Sequence, residues 1–402
     1  MAYDSATNYF FSEDREGLVL AGGGARAAYQ VGVLQAIAEW LPEEAPCPFR
    51  VLVGTSAGAI NASALTARAS RLRDGVSALE RVWSGFSIEQ VVKVDNASMI
   101  RAGLHWMLSL ASGGWLLPAP RSLLDTTPLR ELLAREIPLD RIRENIGAGP
   151  LRALAVATTS YSTGRVVAFF DAVESVEQWQ RVRSAGVRHE IDIDVLMASS
   201  SIPFFFPAAR IGDQYFGDGA MRQLAPLSPA IRLGANRLLV VGTRAEAPAS
   251  AADGSPDAPP SPGHLLGFAL DSLFTDGMSI DLERLRQINQ LMQGSDSGPP
   301  RRPIETLVIQ PSIDPTVIAR KYVNALPRSF RRMLRTIGAL EARGGVLVSY
   351  LLFESVYTTE LMELGRADAQ TKRDEILSFV CDPFKAAPAF PAPAMRQSQL
   401  HR

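Results

Sequence analysis

Residues 18–29 read LVLAGGGARAAY, and residues 51–58 read VLVGTSAG. In each, a short apolar run ends in a glycine-containing bend and gives way to an alanine-rich stretch. Leu18–Ala21 is predicted as a buried strand, and Ala27–Leu41 as a helix with Val31, Leu34, Ile37 and Ala38 on one face. Val51–Gly54 forms a second buried strand that leads through Thr55-Ser56-Ala57-Gly58 into a second helix, Ala59–Arg73. Outward from this pair the theme repeats, with apolar runs at Leu151–Thr158, Val166–Phe170, Arg237–Gly242 and Thr306–Gln310. Short buried strands interleaved with helices predict an α/β fold, with a mainly parallel central sheet covered on both faces.

The three consecutive glycines leave backbone bare for something to lie against it. Gly22-x-Gly24-x-x-Ala27 satisfies a dinucleotide-binding fingerprint, placed between strand and helix as that reading requires. A dinucleotide site also needs an acid at the end of the second strand to hold the ribose. There the chain has Gly54-Thr55-Ser56-Ala57-Gly58, while Glu43 and Glu44 precede the strand, and no phosphate-binding lysine follows the glycines. What stands in place of the acid is G-x-S-x-G at a strand-to-helix turn. Gly54 and Gly58 leave room for a tight elbow that lifts the Ser56 hydroxyl into the open. The next helix aims its unpaired N–H groups and positive dipole end nearby. In a parallel sheet the loops after the first two strands can lie side by side at the carboxyl edge. The glycine run is therefore read as an oxyanion hole, in which each donor is worth about 3–4 kcal/mol of the barrier.

A nucleophilic serine needs a base. The histidines are His105, His189, His264 and His401, and none sits in a supporting motif. Among acids, residues 207–222 read PAARIGDQYFGDGAMR. Gly212-Asp213 is read as a hairpin turn between Arg210–Ile211 and Gln214–Phe216. Asp213 is then an ordinary turn acid. Asp218 follows the second strand among glycines that permit close backbone approach, although Asp-Gly is also a common turn dipeptide.

At 402 residues with 47% hydrophobic and 21% charged residues, the chain has the composition of a soluble globular protein. Forty-one basic residues against 42 acidic ones leave no global field to attract nucleic acid, so a nucleic-acid partner is not expected. Cys47 and Cys381 match neither a metal-ligand spacing nor a disulfide framework, which suits a reducing compartment. The polar N-terminus lacks the features of a Sec-type signal peptide, and no apolar run of about 18 residues could span a bilayer. A cytoplasmic chain, at most peripheral at a membrane, is expected. Residues 246–263, EAPASAADGSPDAPPSPG, are read as a flexible loop inside one domain.

Four motifs in order, GGGARA at 22–27, GTSAG at 54–58, ASSSIPFFFP at 198–207 and DGA at 218–220, resemble those of the patatin-like phospholipases. The resemblance covers the chain from about Gly17 to Thr243. It implies a three-layer α/β/α fold with a helical C-terminal portion, and lipid acyl hydrolysis by a Ser–Asp dyad without a catalytic histidine, cofactor or metal. Ser56 would be the nucleophile and Asp218 the general base and acid. The loop Gly22, Gly23, Gly24, Ala25 and Arg26 would form the oxyanion hole, with the Arg26 side chain bracing it. Ala27 stands where the family usually has glycine, and DGA replaces DGG. The domain organisation expected is a tail at 1–16, a hydrolase domain at 17–382 and a tail at 383–402. The core motifs lie in 17–243, and a strand and helices follow in 264–382. Phospholipids or lysophospholipids are the expected substrates. Neutral-lipid hydrolysis or acyl transfer by the same dyad is the chemical alternative, and an inactive lipid-binding scaffold the alternative of another class.

Phe204, Phe205 and Phe206 suit an acyl-chain groove beside the serine, or simply a core. Residues 103–119, GLHWMLSLASGGWLLPA, are too short and broken to span a membrane but suit a flap at a lipid surface or a core helix. In 327–343, PRSFRRMLRTIGALEAR, the residues Phe330, Met333, Leu334, Ile337 and Leu340 share a helical face. Arg328, Arg331, Arg332 and Arg335 lie opposite, as a solvated face or a contact for anionic lipid headgroups. The sequence leaves oligomeric state open.

Overall fold

The computed structural model describes residues 15–113, 115, 122–245, 259–293, 303–341 and 344–380. Most of the expected flexible loop (246–258) and nearly all of both tails lie outside the described residues. The strands, in chain order, are β1 (Glu16–Leu20), β2 (Val51–Thr55), β3 (Ala153–Ser160), β4 (Val166–Ala172), β5 (Trp179–Gln180), β6 (Ser184–Arg188), β7 (Ala209–Ile211), β8 (Gln214–Asp218), β9 (Arg237–Val241) and β10 (Glu305–Ile309). The first helices are α1 (Ala28–Trp40), α2 (Ala57–Thr66), α3 (Leu72–Ser84), α4 (Asn96–Ala111), α5 (Thr127–Glu136), α6 (Asp140–Ala148), α7 (Ile193–Ser199) and α8 (Ser228–Arg232). After β9 come α9 (Pro262–Gln293), α10 (Pro315–Tyr322), α11 (Arg328–Thr336), α12 (Gly345–Leu351), α13 (Ser355–Thr371) and α14 (Arg373–Val380).

One sheet runs in the order β10-β9-β1-β2-β3-β4-β6-β5, with the β7–β8 hairpin attached to the end of β3. Its centre, from β10 to β3, is parallel throughout. Antiparallel pairs gather on the other side, where β3 turns directly back into β4. The period-two rule sends alternate side chains to opposite faces of the sheet, which lies between two helical layers. Leu18, Leu20, Leu52, Leu239 and Val241 pack on the side of α1 and α13, whereas Val19, Val51, Val53, Leu238 and Val240 face α8 and the second half of α9. Runs apolar on both faces are what a covered parallel sheet requires.

Of the C-terminal helices, α13 packs on α1, while the second half of α9 covers the opposite face. At the α1–α13 crossing, Gly32 lies against the Met362 carbonyl and Gly365 against that of Tyr29, too close for a Cβ on either. The Tyr29 hydroxyl donates to Asp368 across the same crossing at 3.0 Å.

Two helices are shorter than their periodicity suggested. The expected helix over 59–73 stops at Thr66, because the chain turns to pair with the 45–47 loop before α3 begins. The Cys47 N–H donates to the Ala69 carbonyl at 2.8 Å and the Leu72 N–H to that of Ala45 at 2.9 Å. The helix expected through 343 ends near Thr336, where Gly338 adopts φ 73° and supplies a left-handed C-terminal stop. No helix among the described residues is long and apolar enough to cross a membrane.

Candidate active site

Strand register explains why two residues 162 positions apart in the chain meet. On one edge of β3, Thr55 at the end of β2 pairs with Ala157. The next β3 residue, Thr158, pairs with Asp218 at the end of β8. Asp218 therefore stands one strand step beyond the end of β2, where Ser56 begins the turn into α2. Both side chains are buried.

Ser56 has φ 55°, a left-handed conformation that a non-glycine residue adopts at a cost of about 1–3 kcal/mol. Its neighbours leave no alternative. Gly58 faces the Leu20 carbonyl and Gly54 faces Ala59 and the Gly58 carbonyl, with no room for a Cβ at either position. The elbow is also tied from outside. The Ser56 N–H donates to Ser199 Oγ at 2.9 Å, and that hydroxyl donates to the Ala157 carbonyl at 2.7 Å. Two residues on, the Ser201 carbonyl accepts the Asp218 N–H at 3.0 Å. The serine run of ASSSIPFFFP thus fastens both residues, a role that the sequence reading gave to none of its serines. Ser200 lies between them at the mouth of a cleft, its buried hydroxyl without a partner among the described residues.

Asp218 Oδ1 accepts the Ala220 N–H at 2.9 Å, whereas Oδ2 is buried without a well-aligned partner. Burial pushes the carboxyl up to about 7. Hydrogen bonding from the Ser56 hydroxyl and the Ala220 N–H opposes that rise without cancelling it. Removal from water disfavours the charged form, and two donors do not replace a full hydration shell. The group is thereby poised to exchange a proton near neutral pH.

The glycine loop lies against the serine. A Cβ on Gly22 would sit 3.3 Å from that of Ser56, and Gly24, with φ 53°, lines the same cleft as Ser56. The Arg26 N–H is already engaged by the Gly23 carbonyl at 3.1 Å. Among the described residues, the N–H groups of Gly23, Gly24 and Ala25 have no backbone acceptor. The Arg26 side chain is buried and turns into the C-terminal helices. It donates to Ser349 Oγ (2.8 Å), Asp271 Oδ1 (3.1 Å), Tyr350 OH (3.2 Å) and Thr316 Oγ1 (3.1 Å). No short-range signal in the sequence marked those four partners.

Beside Ser56 opens an apolar cleft between α2, α3 and α5. The three phenylalanines of ASSSIPFFFP separate here. Phe206 lines the cleft, Phe205 is buried in the core, and Phe204 is exposed with φ 68°. Among the described residues no histidine lines the cleft, and Asp213 sits in its hairpin turn between Ile211 and Gln214. Among the described residues no three metal-ligating side chains converge.

A family model described as patatin-like phospholipase matches residues 18–231. Among solved structures, the chain resembles VipD from Legionella pneumophila at 14% identity and TM-score 0.33, covering 88% of this chain and 67% of that one. It also resembles human GIVD cytosolic phospholipase A2 at 10% identity and TM-score 0.44, covering 94% of this chain and 61% of the human one. No curated protein matches.

Proposed function

We propose, for a chain that belongs to the patatin-like phospholipase family by its match over residues 18–231, that Ser56 and Asp218 form the dyad of a lipid acyl hydrolase. Membership supports acyl-ester hydrolysis in general. The observation that carries the finer reading is the meeting of a strained, buried serine that lines the cleft with a buried carboxyl whose pKa is pushed up to about 7. Ser56 Oγ would attack the ester carbonyl while its proton passes to Asp218 Oδ2, the oxygen without a well-aligned partner. The carbonyl oxygen, now negative, would be received by the N–H groups of Gly23, Gly24 and Ala25. Collapse expels the alcohol, which takes the proton back from Asp218 and leaves an acyl-serine. Water then repeats the cycle with Asp218 as base.

Phospholipids or lysophospholipids are the substrates proposed, since the cleft beside Ser56 is lined by apolar side chains, as a fatty chain requires. A fluorophosphonate is expected to label the wild type on Ser56 and to leave Ser56→Ala unlabelled. Vesicles of mixed phospholipid and lysophospholipid should release fatty acid only with the wild type. A folded wild type that neither labels nor releases fatty acid would end the hydrolase reading and leave a lipid-binding scaffold.

We further propose that the chain meets lipid through α4 and α11. Leu104, Met107 and Leu108 are exposed at helical spacing on α4, and Trp115 is exposed just beyond it. Arg328, Arg332 and Arg335 are exposed on α11, whereas Arg331 is drawn onto Asn324. The helices adjoin, with Ser329 Oγ donating to the Val94 carbonyl at 2.7 Å. The α4 excursion also starts and ends at the cleft. Val91 lines the cleft, and the N–H groups of Leu123 and Leu124 donate to the Phe204 and Phe205 carbonyls. An apolar helix face beside cationic side chains suits an anionic bilayer, each near-surface charge contributing about 1 kcal/mol. Reversing Arg328, Arg332 and Arg335 to glutamate should weaken binding to phosphatidylserine vesicles more than tenfold and spare phosphatidylcholine vesicles. Unchanged affinity for the anionic vesicles would overturn this contact.

A further inference from the structure

We infer that the cleft is a blind slot whose depth is set by Ala64 and Ala78, matching an acyl chain of about ten carbons along about 12 Å of helix. This rests on the hydrolase reading above and adds to it a chain-length preference.

The walls give the slot a direction. On α2, Ala57, Ile60 and Ala64 face the cleft, so the lining continues from Ser56 for eight residues down one side of that helix. α3 runs the opposite way. A Cβ on Gly75, near its start, would touch Leu65 Cδ1 at 2.9 Å, which sets the start of α3 beside the end of α2. Ala78, one turn on, therefore lines the deep end. Phe86, just past α3, lies 5.5 Å from the ring of Phe353 at the Ser56 end. Phe353 in turn follows α12, whose Tyr350 carbonyl abuts Gly24. α5 runs parallel to α2, since Arg68 just beyond α2 donates to the Glu136 carbonyl at 2.9 Å. Leu133, Glu136 and Ile137 thus belong to the deep end as well.

Hydrogen bonds tie the helices together at that end. Besides the Arg68–Glu136 bond, Asn145 of α6 donates to the Thr66 carbonyl at 2.9 Å. The side chains projecting into the last third from α2 and α3 are the methyl groups of Ala64 and Ala78, while larger residues such as Leu79, Val82 and Trp83 flank the middle. Methyl groups leave the last few carbons of a chain their space. A larger side chain at either position would occupy it, and the size of a pocket end discriminates chain length steeply.

The test compares wild type, Ala64→Phe and Ala78→Leu, each confirmed folded by its melting curve, on p-nitrophenyl esters of four to sixteen carbons. Wild-type kcat/KM should peak near ten carbons. In each variant the ratio of the ten-carbon to the four-carbon ester should fall at least about tenfold, with the optimum moved to shorter chains. An optimum identical in all three proteins, or a flat wild-type profile, overturns the slot while leaving the hydrolase intact. A second arm separates the two readings. Saturated fatty acids of six to sixteen carbons are titrated calorimetrically into Ser56→Ala, alone and combined with Ala64→Phe. Tightest binding near ten carbons that shifts shorter with Ala64→Phe supports the slot even if no ester is cleaved, and length-independent binding overturns it.

Discussion

Asp218→Asn is expected to abolish hydrolysis and, above pH 7, to raise the melting temperature. The first effect follows from the loss of the proposed base, worth about 10³-fold in rate. The second follows from the carboxyl being raised from an ordinary value of 3.8 to about 7 in the folded chain. Between those values the folded protein holds a proton that the unfolded chain has released. The group's stabilising contribution is therefore complete below about pH 4 and is lost as pH rises through 7. The interval of 7 − 3.8 gives a loss on the order of 4 kcal/mol as an upper bound. Asparagine carries no charge to desolvate, and its oxygen can still accept the Ala220 N–H that Oδ1 now accepts. The variant's advantage should grow between pH 4 and 7 and stay level above, appearing as several degrees at pH 8 and little at pH 5. The wild-type kcat/KM should fall on the acid side with an apparent pKa near 7. Equal melting temperatures for the two proteins at pH 8 would mean that Asp218 is not held against its solvation.

The site thus stores unfavourable free energy in two adjacent places, the backbone of Ser56 and the buried carboxyl of Asp218. Neither persists unless the surroundings over-determine it. Ser199 and Ser201 do so by direct hydrogen bonds, and the β3 register does so by fixing where both β2 and β8 end.

Local features were legible from sequence because local chemistry produces them. A buried strand, a bend that admits only small residues, and an alanine-rich helix announce Ser56 and the glycine loop within a dozen residues each. The β7–β8 hairpin is equally local, and Gly212-Asp213 turns it as its composition indicated. From its own residues Asp218 was legible only as a strand-end acid; the family resemblance alone paired it with Ser56, since their meeting depends on pairing with a third strand. The 59–73 segment misled because helical periodicity persists through residues that tertiary pairing with the 45–47 loop bends away. In 327–343 the stop signal, Gly338, was present in the sequence and outweighed by the apolar periodicity around it. The cleft walls from α3 and α5 carry ordinary amphipathic patterns, indistinguishable in sequence from core packing.

Arg26→Met should cost about 3 kcal/mol of stability and at least tenfold in kcat, because the brace on the glycine loop comes from the far end of the chain. The guanidinium makes hydrogen bonds to four side chains between residues 271 and 349–350, and its Cζ lies 3.9 Å from the centroid of the Tyr350 ring. Methionine fills comparable volume but leaves those hydroxyls and the Asp271 carboxylate short of a donor. Asp271 keeps the Tyr350 hydroxyl as a donor at 3.0 Å, but its remaining cationic contact, to Arg244, is longer at 3.5 Å. Lysine cannot replace the fork geometry and should recover stability only in part. Adding Asp271→Asn to Arg26→Met removes the uncompensated charge and should restore part of the melting temperature without restoring kcat, since the loop stays unbraced. That split separates a positioning role from bulk destabilisation, in which both quantities would recover together. Wild-type kcat in a folded Arg26→Met protein would show that the loop holds its shape unaided. The expectation against this is geometric. The matched family region ends at 231, yet Gly24 abuts the Tyr350 carbonyl and Arg26 anchors on α9, α10 and α12. A loop built of glycines has little stiffness of its own, and the donors proposed there must be fixed before the charge develops if they are to lower the barrier.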